Sequence, residues 1–249
     1  MTTVNKKIIF IVGHGSRVQE ANQDFERFVD GFRSHCMNRE IRYGYIELAK
    51  PDFKEALERA AAEADEITVL PLFLFSAGHV KNDLPLVVES IRQKYPRVIF
   101  RMALCLGAHP NMAALVNKRV QEAKMDRKIE KTVVLMVGRG SSDPDAKRDF
   151  SKLVRLCEET LPYGRAAYCF MAIVKPTVEE ALERLAREGM KTIIVQPYLL
   201  FAGCLVAQLE EIVERFSKLY PGVTVRMTKS LGIDPLIFDL LKDRINGVE

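Results

Sequence analysis

Apolar and polar positions follow two regimes along this chain. Short apolar runs of strand length come at Ile8 to Val12, about Ile41 to Glu47, Ile67 to Phe75 and Val98 to Leu104. Between them lie longer stretches in which apolar residues recur at helical spacing, the first from about Val18 to His35. A second helix should open at Lys50-Pro51, because proline is favoured in a first helical turn. Further helices follow the third and fourth runs. The third run is almost continuously apolar, as in a strand buried on both faces of a parallel sheet. Strand and helix in alternation predict an α/β unit with a mostly parallel four-stranded sheet and helices on both faces.

The pattern then repeats. Val12-Gly13-His14-Gly15-Ser16 returns as Val137-Gly138-Arg139-Gly140-Ser141, a shift of 125. Lys50-Pro51, Tyr95-Pro96 and Leu106-Gly107 return at the same shift as Lys175-Pro176, Tyr220-Pro221 and Leu231-Gly232. The second set of runs is Val133 to Val137, about Arg165 to Ile173, Ile193 to Phe201 and Val223 to Thr228, with a first helix from about Pro144 to Leu161. One stretch slips by a residue: Pro71 and Leu74-Phe75 match Pro197 and Leu200-Phe201, and register returns at Ala77-Gly78 against Ala202-Gly203, leaving Ser76 without a partner. A repeat held this far defines two tandem homologous domains. They are expected at 1–126 and 127–249, joined through the charged stretch Gln121 to Lys131.

Composition narrows the function. The 249 residues suffice for two compact domains, and 48% hydrophobic with 28% charged residues suits a soluble fold. The polar lead MTTVNKKIIF lacks a signal peptide's apolar core, and no apolar run spans a bilayer, so a cytoplasmic protein away from membranes is expected. A net charge of +4 and the absence of Trp argue against nucleic acid. The cysteines, Cys36, Cys105, Cys157, Cys169 and Cys204, are scattered without a C-x-x-C pair and read as reduced thiols.

Ligands of open parallel sheets bind beyond the carboxyl ends of the strands. In the first repeat that edge should gather His14 after the first strand, Glu47 at the end of the second and His79 after the third. Two imidazoles and a carboxylate are ligands for a divalent first-row metal and are also common general bases. The second repeat is an internal control. There His14 becomes Arg139, Glu47 becomes Ala172 and His79 aligns with Cys204, while the surrounding glycines and Lys-Pro step survive. The joint loss points to one site kept in one copy. His35 reads as a helix-end cation and His109 as a polar turn residue. The turn at Gly13 is neither a P-loop nor a dinucleotide fingerprint, and Ser16 is not in a nucleophile elbow.

The segments Val12-Gly13-His14-Gly15-Ser16-Arg17, Glu47-Leu48-Ala49-Lys50-Pro51 and Leu70 through Asp83 resemble the class II tetrapyrrole chelatases, more closely the CbiX/SirB type in its long two-domain form. The resemblance implies domains facing across a cleft and insertion of a divalent metal into sirohydrochlorin with release of two protons. Iron would serve sirohaem, and cobalt the cobalamin pathway. It implies His14, His79 and Glu47 as catalytic and metal-binding residues, with Fe²⁺, Co²⁺ or Ni²⁺ as substrate and no organic cofactor. The absence of a His-rich tract and of a C-terminal cysteine cluster tilts the expectation towards iron. A polycarboxylate substrate calls for cations and open helix N-termini, for which Ser16, Arg17, Lys81 and Arg139 are the candidates. The internal duplication mimics a dimer within one chain, so a monomer is expected. A metal or tetrapyrrole carrier without turnover is the alternative.

Overall fold

The structure, a computed structural model, describes residues 6–36, 39–123, 131–161 and 164–248, with His79 described by its backbone alone. The polar lead and most of the expected join lie outside these residues.

The chain forms two compact units, one of residues 1–107 with 237–249, the other of residues 108–236. The first holds a parallel sheet of β1 (Lys7–Gly13), β2 (Glu40–Tyr45), β3 (Glu66–Pro71) and β4 (Ile99–Met102), in the order β2-β1-β3-β4. The second repeats that order with β5 (Thr132–Gly138), β6 (Ala166–Phe170), β7 (Thr192–Pro197) and β8 (Thr224–Met227), as β6-β5-β7-β8. The central strands are apolar because both of their faces are covered. On β1, Ile8, Phe10 and Val12 pack against α2 (Phe53–Ala61) and α3 (Leu84–Lys94) through Leu57, Ala60, Leu84 and Val88. The opposite face is covered by α1 (Gln19–His35) and α8 (Pro235–Asn246), whose Phe28 and Phe238 rings meet at 5.1 Å. In the second unit Val133, Leu135 and Val137 pack on α6 (Val178–Arg187) and α7 (Cys204–Leu219). There α4 (Pro110–Glu122) and α5 (Pro144–Thr160) complete the unit. Among the described residues no helix is long and apolar enough to cross a membrane.

The strand ends depart from the sequence reading. The apolar runs outlast the strands: β2 stops at Tyr45, two residues before Glu47, and β3 stops at Pro71, so Leu72 to Phe75 continue as loop. Leu72 N still donates to Val12 O, and Phe73 O and Leu74 O accept from Leu106 N and Gly107 N. The backbone polar groups are thus satisfied without a regular ladder.

Compact units and repeats divide the chain differently. A split by repeat runs 1–126 and 127–249, but each repeat's last helix belongs to the compact unit of the other: α4 lies in the second unit and α8 in the first. The anchors are matched arginines. Arg119 on α4, only 9% exposed, donates through Nη2 to Leu231 O at 2.6 Å and to Asp234 Oδ2 at 3.1 Å. Arg244 on α8 donates through Nη2 to Leu106 O at 2.9 Å. Arg119 and Arg244 are equivalent in the repeat, as are Leu106 and Leu231, so each helix makes the corresponding bond to the partner repeat's leucine. Burial pushes the Asp234 carboxyl upward. Hydrogen bonds from Lys118 and Leu236 N, with the charges of Lys118 and Arg119, outweigh this and hold it below its ordinary value.

Candidate active site

Parallel pairing itself brings His14 to Glu47. Gly13 closes the register of β1 opposite Tyr45 of β2, and the pairing continues past both strands. Ile46 N donates to Gly13 O at 2.9 Å and Glu47 N to His14 O at 3.0 Å. The side chains then meet, with His14 Nε2 3.5 Å from Glu47 Oε1 and both partly exposed. Two ligands about 2.1 Å from one tetrahedral cation stand about 3.4 Å apart. The pair therefore has the spacing of two donors to a shared divalent ion. His14 Nδ1 lies 3.1 Å from Gly15 O. A proton on Nδ1 would bond to that carbonyl and leave the Nε2 lone pair for a cation, the usual division of labour in a ligating histidine. The Phe73 ring, its centroid 6.4 Å from that of His14, stands alongside.

Backbone geometry holds the carboxylate in place. Gly15 has φ +90, and a Cβ there would fall 1.8 Å from Glu47 O. The same carbonyl accepts from Ala49 N at 2.8 Å, closing a γ-turn around Leu48 at φ 62. The loop returns through the cis peptide Lys50-Pro51, and Pro51 O accepts from Tyr45 N at 2.9 Å. Asp52 then caps α2 by accepting from Glu55 N at 3.1 Å. A cavity of about 300 Å³ beside Glu47 is lined by Asp52, Phe53, Asp83 and Leu84.

His79 lies in the first turn after the β3 loop, in a π-helical turn, His79–Asp83, that leads into α3. The helix begins at Gly78, where Lys81 N bonds to Ala77 O at 3.0 Å. In the second unit the helix begins at Cys204, where Ala207 N bonds to Gly203 O at 3.2 Å. By helix start, Gly78 therefore matches Cys204 and His79 matches Leu205. This corrects the motif alignment, which paired His79 with Cys204 and looped out Ser76. The extra residue of the first repeat is taken up by the wider π turn, a feature frequent at functional sites.

The other sequence candidates fall as follows. Ser16 Oγ accepts from Val18 N at 3.0 Å, and its equivalent Ser141 accepts from Asp143 N at 3.1 Å. The serine thus does the same local work in both repeats, shaping the turn into the helix. Arg17 and Arg139 are exposed cations on the strand-end loops, and Lys81 is an exposed cation in the π-helical turn His79–Asp83. Ala172 N bonds to Arg139 O at 3.0 Å, as Glu47 N does to His14 O, so the second unit has the frame without the donors. His109 caps α4, its Nδ1 accepting from Asn111 N at 3.2 Å. The His35 ring meets that of Phe238 at 5.0 Å, tilted by 54°. Among the described residues, which do not include the His79 side chain, no group of three His, Cys, Asp or Glu converges to hold a metal, and His14 and Glu47 are the sequence candidates seen side by side. Sequence reasoning missed Phe73, Asp52 and Asp83. The only available signals were the aromatic in the Leu-Phe strand end, the capping position before α2 and the i, i+4 spacing of Asp83 from His79.

Two parallel α/β units of one design, with an imidazole–carboxylate pair among the described residues at the strand-end edge of the first and Arg139 and Ala172 at the equivalent positions of the second, define a tandem α/β protein built from one repeated unit. The family model CbiX matches residues 8–123 and again 133–248, and the chain belongs to that family. It is 30% identical over 241 residues to a sirohydrochlorin ferrochelatase of Bacillus subtilis strain 168, covering 96% of this chain and 91% of that protein. It is equally 30% identical over 243 residues to a sirohydrochlorin cobaltochelatase of Priestia megaterium, covering 96% of this chain and 78% of that one. The structure of SirB from Bacillus subtilis with Fe³⁺ superposes at a TM-score of 0.86, with 30% identity over 97% of this chain and 94% of that one.

Proposed function

We propose that this protein is a sirohydrochlorin chelatase that inserts Fe²⁺ or Co²⁺ into the macrocycle with release of two protons. The observation that carries the reading is the His14 Nε2 and Glu47 Oε1 pair, 3.5 Å apart, in a chain matched along both repeats by the CbiX family. Insertion must strip water from the cation, hold it beside the ring nitrogens and take away the N–H protons. A neutral imidazole and a carboxylate meet the first two needs. Glu47 is the better proton acceptor, because a histidine that ligates cannot use the same lone pair as a base. His79 joins them as third donor from the turn after β3, and Arg17, Lys81 and Arg139 meet substrate carboxylates. Nitrogen and oxygen donors accept Fe²⁺, Co²⁺ and Ni²⁺ alike. Relatives of equal identity carry names for different metals, so identity does not rank iron above cobalt. The reading is of a cytoplasmic monomer without an organic cofactor.

The test is an anaerobic insertion assay with sirohydrochlorin and each of Fe²⁺, Co²⁺ and Ni²⁺, scored by rate. His14→Ala and Glu47→Ala should each lose most turnover while keeping their melting temperature. Wild-type rates in both variants would overturn the assignment. Stoichiometric binding without turnover in the wild type would favour a carrier instead.

A further inference from the structure

In the second unit a cleft of about 470 Å³ runs along the edge strand β6, between α5 and α6. Sites for small molecules usually span about 300–1,000 Å³. Three arginines line the cleft, Arg155 from α5, Arg165 just before β6 and Arg184 from α6, against two glutamates. Both glutamates are engaged. Glu158 Oε1 accepts from Ala166 N at 3.1 Å, and Glu188 pairs with Arg165 and, at 3.9 Å, with Arg184. Arg155 is exposed and has no ion-pair partner among the described residues.

Three arginines on a surface are ordinary, but the first repeat handles the same edge differently. At a shift of 125, Glu26, Asp30, Glu40 and Arg42 stand where the second repeat has Ser151, Arg155, Arg165 and Ala167. In the first unit Arg42 bridges two acids, its Nε 2.7 Å from Glu40 Oε1 and its Nη2 on Glu63, so a charged side chain covers the edge. In the second unit that side chain is cut back to alanine, two acids have become arginines and a third a serine. Bulk has left the middle of the edge and acid has left its rim, which together make room for an anion. Arg33, which donates to Ile41 O at 3.1 Å, has become Glu158, which takes the outward Ala166 N–H, so an added peptide strand would find that donor used. The cleft also has an apolar lining, with Val154 and Leu185 buried and the Tyr168 ring half-buried. Guanidinium forks match phosphate oxygens, and an aromatic side chain matches a flat ring. We infer that this cleft binds a small organic phosphate carrying a flat ring, in the size class of a nucleoside monophosphate.

The test is calorimetric titration of the full chain with AMP and with UMP. It needs no metal insertion, so it stands whether or not the chelatase reading does. One saturable site per chain is expected, with a Kd below about 1 mM. Inorganic phosphate and succinate, which lack the ring, should bind about tenfold more weakly or worse. Arg155→Asp, which restores the acid of the first repeat, should weaken AMP about tenfold or more and leave the melting temperature unchanged, as should the milder Arg155→Gln. Tyr168→Leu should weaken AMP about tenfold. Arg187→Asp makes the same charge change on α6 outside the cleft and should bind AMP as wild type does. A wild type that binds neither nucleotide, Arg155 variants that bind as wild type, or equal weakening by Arg187→Asp would overturn the inference. So would phosphate or succinate binding as tightly as AMP.

Discussion

Gly15→Ala and Gly140→Ala form a matched pair of perturbations with different expected consequences. A Cβ would lie 1.8 Å from Glu47 O in the first case and 1.9 Å from Ala172 O in the second. Contacts under 3.0 Å are essentially never seen for real Cβ atoms, so glycine backbone and carbonyl must part by at least 1.2 Å at position 15 and 1.1 Å at position 140. Each glycine also has positive φ, where alanine costs about 1–2 kcal/mol. Relief of the overlap should add about 1–3 kcal/mol, as in an overpacked core. Both variants should therefore melt roughly 4–20 °C below wild type, at about 2–4 °C per kcal/mol for a chain of this size. They should part company in metal binding. Displacement of the Glu47 peptide moves the carboxylate away from His14, and loss of such support typically weakens metal affinity about 10–100-fold. Ala172 has no carboxylate to move, so Gly140→Ala should bind Co²⁺ as wild type does. Co²⁺ titration below both melting transitions, followed by absorption, reads the difference. Equal affinity in the two variants would refute the role given to Glu47 and to the glycine that abuts it.

The exchanged helices make a second comparison. Arg119→Met removes partners of the Leu231 carbonyl and of the buried Asp234 carboxylate, which keeps Lys118, and should cost about 2 kcal/mol in denaturant unfolding. Arg244→Met removes a bond to the Leu106 carbonyl with no carboxylate involved, and should cost about 1 kcal/mol. Because the Asp234 carboxyl is held below its ordinary value, its stabilisation is complete above about pH 4 and is lost as pH falls towards its lowered folded value. Asp234→Asn should flatten that acid limb. Thiol labelling at pH 8 should show one fast cysteine, the exposed Cys204, and a slower Cys36. Burial pushes Cys105 and Cys157 up to about 12 and Cys169 well above its ordinary value, so these three should react only on unfolding. Persistence of the fast phase in Cys204→Ser would contradict this.

Much of the molecule follows from local sequence. Continuous apolar runs such as Ile67 to Leu70 can be satisfied only by burial on both faces, which implies parallel strands covered by helices. The repeat states that this happens twice. Parallel strands put their carboxyl ends on one edge, so the approach of His14 to Glu47 could be expected from Gly-His-Gly and the second strand alone. The exchange of α4 and α8 could not. Both repeats offer a helix the same apolar face and the same leucine carbonyl, so local pattern carries no information about which copy it chooses. That choice is made by a bond such as Arg119 to Leu231, across 112 residues of chain. Nor could sequence place the surplus residue of the first repeat, because looping out at Ser76 and widening a helical turn are equally compatible with the same letters. The γ-turns at Leu48 and Ile173 escaped for the opposite reason: their residues disfavour the conformation they adopt. Each turn's first carbonyl packs against a glycine in the loop after the neighbouring strand, and that pairing exists in the folded chain alone.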